Sequence, residues 1–163
     1  MEDLNLRLME DALQTLVDFS ESLTGQYPGC PQNDCIWHCL AYISTKGKYF
    51  NETYARRVCY WYYNSNEVYQ PFEGYERDVR AMVNTFIGRL KPNSYLKDKC
   101  IFVFERRVVH EGNNIIRMNH AVIVEKNKYI QNNSIRYFDP MYNQYYSMSI
   151  ASLPSEHYFI SIQ

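Results

Sequence analysis

The chain has 163 residues, 46% hydrophobic and 21% charged, the size and composition of one globular domain with its own core, residues 1–163. Its 17 basic against 18 acidic side chains leave a formal charge of −1, which excludes the basic footprint of a dedicated nucleic-acid binder and an acidic solvating tail. No apolar run approaches the roughly 18 residues that span a bilayer, and the acidic start Met1-Glu2-Asp3 is no secretory signal. The expected location is therefore the cytoplasm, or a target cell reached without a cleavable signal.

Leu4, Leu8, Leu13, Leu16, Val17 and Leu23 recur at helical spacing and predict a helix over residues 2–23, stopped at Thr24-Gly25. A loop through Pro28, Gly29 and Pro31 follows. Asp34 is a good N-cap for a second helix over 35–45. A third opens at Asn51-Glu52 and runs to about residue 63, and a fourth covers 75–90, with Val79, Met82, Val83, Phe86, Ile87 and Leu90 on one face and Pro92 preventing its continuation.

Beyond Pro92 the period changes. Residues 101–109 are rich in β-branched and aromatic side chains, Glu111-Gly112-Asn113-Asn114 is a turn signal, and 115–125 reads as the returning strand of a hairpin. Further strands are predicted at 134–138, 145–150 and 158–162, joined by short polar turns that suit an antiparallel sheet. Helices first and strands second predict an α+β domain.

Five cysteines cannot all pair within the chain, and their density is low for a disulfide framework, so a reduced protein is expected. Cys35 directly follows the predicted N-cap. Unpaired backbone N–H groups and the helix dipole stabilise a thiolate there, and the same N–H groups can hold an oxyanion. Cys39, one turn further on among Leu40, Ala41 and Ile43, reads as a small core residue. His120 stands at the head of a strong strand segment, and Asp139 closes the next strand. An Asp beside a His fixes the ring's tautomer and supports its imidazolium form, leaving the other ring nitrogen for Cys35. Nucleophile, base and orienting acid in this order suit nucleophilic catalysis.

The order and setting resemble the papain-like cysteine peptidases. Asp34-Cys35-Ile36-Trp37-His38-Cys39-Leu40-Ala41 is similar to the nucleophile segment of the bacteriocin-processing leader peptidases. Asn119-His120-Ala121-Val122-Ile123-Val124 and Phe138-Asp139-Pro140 resemble that family's histidine and aspartate segments. The resemblance covers about thirty residues in three islands. It implies a papain-like α+β fold, with an N-terminal helical half carrying the nucleophile Cys35 packed on a C-terminal antiparallel sheet carrying His120 and Asp139. It also implies a thiol peptidase that needs no metal or cofactor. The family usually has Gly after the nucleophile, where this chain has Ile36, and a Gln six residues before it, where this chain has Gly29. The expected oxyanion donor is therefore Gln32, with Gln26 and Asn33 as alternatives.

The expected partner is a peptide or protein substrate, with an inhibitor or immunity protein as a further partner; the biological setting expected is a bacterial effector or a housekeeping peptidase. Two other readings compete. The same thiol chemistry serves effectors and toxins that deamidate a protein glutamine. Alternatively the chain is a non-catalytic, aromatic-rich binding module, consistent with 16 tyrosines. Cys30, Cys35, His38 and Cys39 are four potential metal ligands within ten residues, but the paired C-x-x-C spacing is missing. Tyr60-Trp61-Tyr62-Tyr63 reads as helix packing, and Arg106-Arg107 as the solvated face of a strand.

Overall fold

A computed structural model describes residues 35–48, 50–66, 76–88 and 97–162. The helix expected over 2–23, the loop with Cys30 and the N-cap Asp34 lie outside these residues. The fold is α+β: three helices, α1 (Cys35–Ser44), α2 (Glu52–Asn66) and α3 (Glu76–Ile87), precede six strands. The strands are β1 (Lys99–Glu111), β2 (Asn114–Glu125), β3 (Ile130–Gln131), β4 (Ser134–Asp139), β5 (Gln144–Ser149) and β6 (His157–Ser161). Among the described residues no helix is long and apolar enough to cross a membrane.

Nine of the ten residues of α1 are buried, so this helix runs through the core with no solvated face. It ends in a Schellman motif. Lys46 takes a left-handed φ of 54°, Gly47 donates its N–H to the Tyr42 carbonyl at 2.7 Å, and Lys46 donates to Ile43 at 3.3 Å. Asn51 caps α2 by accepting the Tyr54 N–H on its side chain at 3.1 Å. On α3 the buried residues are Val79, Met82, Val83 and Phe86, the apolar stripe expected of an amphipathic helix.

The sheet is antiparallel, in the order β3-β4-β2-β1-β6, with β5 also on β4. Strand alternation sends Ile101, Val103, Ala121, Ile123 and Ile160 into one core cluster with the helices. Cys100, Phe102, Phe104, Val122 and Val124 form a second cluster with Ile135. The β1–β2 hairpin closes through Gly112, whose φ of 59° favours glycine. Two short elements were not expected from the sequence: β3, and a 3₁₀ turn at Ile150–Ser152. β3 forms because Asn132 and Asn133 adopt left-handed φ values of 51° and 61°, which make a tight two-residue turn into β4.

Candidate functional site

Cys35, His120 and Asp139 come together. Cys35 is the first residue of α1 and is 8% exposed, buried but at the edge of the core. His120 lies mid-strand in β2, opposite Phe104, and Asp139 is the last residue of β4. The β1–β2 register slips between Glu105 and Arg107, immediately beside the Phe104–His120 pair. A bulge there increases local twist and re-aims neighbouring side chains. His120 belongs to both sides of the site: its ring packs edge-on against Phe104 of the second cluster, and Cys35 of the first supports its positive charge.

The His120 Nε2–H donates to Asp139 Oδ2 at 2.5 Å, with both side chains almost fully buried. That bond fixes the ring and leaves Nδ1 as the nitrogen available to the thiol. The other Asp139 oxygen, Oδ1, accepts the Met141 backbone N–H at 3.0 Å. Asp139 therefore closes the β4–β5 turn as well as orienting the histidine. Burial disfavours the imidazolium, but the hydrogen bonds to Asp139 and Cys35 and the charges of those two groups overcome it. The His120 pKa is pushed up to about 9.

Cys39 is fully enclosed, and burial, reinforced by Cys35 and Asp139, pushes its thiol well up. It stays protonated and acts as a core residue. Cys59 and Cys100 are also buried. His38 is buried too, and its Nδ1–H donates to the Phe50 carbonyl at 2.6 Å. Among the described residues no three His, Cys, Asp or Glu side chains converge as metal ligands. Gln32, and with it Gln26 and Asn33, lies outside the described residues.

Two contributors were not found from sequence. Tyr142, in the turn after Asp139, sets its ring 6.5 Å from that of His120. Its position three residues after Asp139 was the only sequence signal. Tyr158 on β6 packs on the cluster containing Cys35, and its buried hydroxyl has no hydrogen-bond partner among the described residues. Burial first, then Glu76 and Cys35 against the opposing Arg80, push its pKa up to about 12, so the hydroxyl stays protonated. An unpartnered buried hydroxyl is destabilising. Tyr158→Phe is therefore expected to raise stability by about 1 kcal/mol, read as a higher urea midpoint at unchanged slope. A lower midpoint would show that the hydroxyl contributes a bond to the fold.

No protein-family model, curated protein or solved structure matches the chain. The reading of this site therefore rests on its own residues.

Proposed function

We propose that the protein is a cysteine hydrolase of papain-like architecture, acting on amide bonds, with peptide-bond hydrolysis as its reaction. One observation carries the reading. A cysteine at the start of a buried helix supports the positive charge of a histidine whose ring is held by a buried carboxylate. A structural cysteine needs none of these partners, and a binding module gains nothing from a buried acid–imidazole pair. The buried pair is costly unless fully satisfied, and here both Asp139 oxygens have donors.

In the mechanism, the proton resides on His120 and the sulfur of Cys35 is the nucleophile. Sγ attacks the carbonyl carbon, forming the C–S bond while the C=O π pair moves to oxygen. The Cys35 backbone N–H, at the helix start, faces this oxyanion together with a loop donor, for which Gln32 is the candidate. The oxyanion collapses, the C–N bond breaks, and the leaving nitrogen takes the proton from His120 Nδ1. Neutral His120 then removes a proton from water, whose oxygen attacks the thioester. The C–S bond breaks, and the acid product leaves with the thiolate restored.

The test is the alkylation of Cys35 by iodoacetamide across pH, followed by peptide mass spectrometry, in the wild type and in His120→Ala. An ordinary thiol is about 1% thiolate at pH 6.5. The expected result is rapid alkylation there, falling by about 10²-fold when His120 is removed. Equal rates in the two proteins would overturn the hydrolase reading. Product mass separates the two amide reactions: a peptidase splits its target, whereas a glutamine deamidase leaves it intact and about one dalton heavier.

A further inference from the structure

We propose that the cleft beside the Cys35–His120–Asp139 group binds the residue on the leaving-group side of the scissile bond and selects an aliphatic or aromatic side chain there. The inference rests on the hydrolase reading and names its specificity. The cleft, about 540 Å³, lies between the α1–α2 connection and the β4–β5 turn. That volume is in the range of ligand-binding clefts.

Its walls come from residues next to the reacting groups along the chain. His38 is three residues after Cys35 on α1, and Pro140, Met141 and Tyr142 directly follow Asp139. Tyr142 also reaches the His120 ring. Since His120 delivers a proton to the departing nitrogen, the segment attached to that nitrogen lies on the His120 side of the sulfur. Tyr142, a wall of the cleft, stands on that side, its ring 6.5 Å from that of His120.

The chemistry of the walls sets the preference. Phe50, Pro140, Met141 and Tyr142 form an apolar part of them, beside the uncharged polar Asn51 and Asn143. Met141 and Tyr142 are 39% and 50% exposed, so their side chains are open to a ligand. Lys48 and Glu52 contribute one charge of each sign, so the cleft favours neither an acidic nor a basic side chain. The turn is pinned before any ligand arrives, by the Met141 N–H on Asp139 Oδ1 and by Asn143 at a left-handed φ of 52°. A preformed apolar wall recovers more affinity from an apolar side chain than one that must be ordered on binding.

The proposal can be tested without a known substrate. The probes are N-benzyl-iodoacetamide and N-methyl-iodoacetamide, and the readout is the ratio of their alkylation rates at Cys35, normalised to the same ratio for free cysteine. The expected ratio is about tenfold or more, in line with the discrimination a small apolar pocket achieves. It should fall to about one in Met141→Ala/Tyr142→Ala, the ratio cancelling any change in the intrinsic reactivity of Cys35. A wild-type ratio equal to that of free cysteine, or one unaffected by the double variant, overturns the cleft assignment. Loss of His120-dependent reactivity overturns the hydrolase reading itself, and the inference with it. A peptide-pool digest fixes the side. Apolar enrichment should appear at the residue following the cut bond, and enrichment confined to the residue before it would place the cleft on the acyl side and overturn the proposal.

Discussion

Cys35→Ala and His120→Ala are each expected to lower the turnover of a cleavable peptide on the order of 10⁶-fold, and the double variant to lose no more than either alone. In the proposed mechanism the two residues act as a unit. Without the sulfur no acyl-enzyme forms. Without the imidazole the sulfur loses its counter-ion and the leaving amine its proton. Independent contributions would multiply, so coincident losses are the signature of one catalytic device. The measurement is single-turnover cleavage of a peptide taken from the digest, with circular dichroism to confirm that the variants fold. Cys39→Ala is the matched control. Its thiol is raised and enclosed, so turnover should persist while stability falls. Turnover that survives Cys35→Ala would transfer the chemistry elsewhere.

Much of this arrangement was legible in the sequence because it depends on local signals. The period of 3.6 in Val79, Met82, Val83 and Phe86 carries through to the structure, as does the strand predicted from the β-branched and aromatic residues that begin at Ile101. So does the alignment of Cys35 with a helix start, since capping and dipole effects act within one turn. The pairing of His120 with Asp139 was readable from strand order, although β3 intervenes between their strands. The bulge beside His120 was not readable. It is a register slip between β1 and β2, set by how both strands accommodate twist rather than by either strand's composition. Nor was the reach of Tyr142 to His120, because it depends on the path of a four-residue turn. The orphan hydroxyl of Tyr158 follows from packing against a cluster assembled from distant segments. No periodicity encodes such a placement.

Asp139→Asn is the sharper probe of how the site is poised. Asparagine preserves shape and can still meet the Met141 N–H, but it removes the charge that supports the imidazolium. The expected loss in turnover is about 10⁴-fold, the scale at which replacing a triad aspartate by asparagine acts. The pH dependence should change as well. In the wild type, kcat/KM is expected to fall as pH rises through about 9, where His120 gives up the proton meant for the leaving amine. In Asp139→Asn, burial is no longer outweighed by the carboxylate, so this descending limb moves to lower pH. Stability follows the same linkage. The folded His120 holds its proton up to about 9, against 6.5 for an ordinary histidine. The stabilisation is therefore complete below about 6.5 and is lost as pH rises through 9. Denaturant midpoints of the wild type should decline across that window, and those of Asp139→Asn should be flatter. Identical profiles in the two proteins would mean that Asp139 holds the β4–β5 turn without setting the proton on His120.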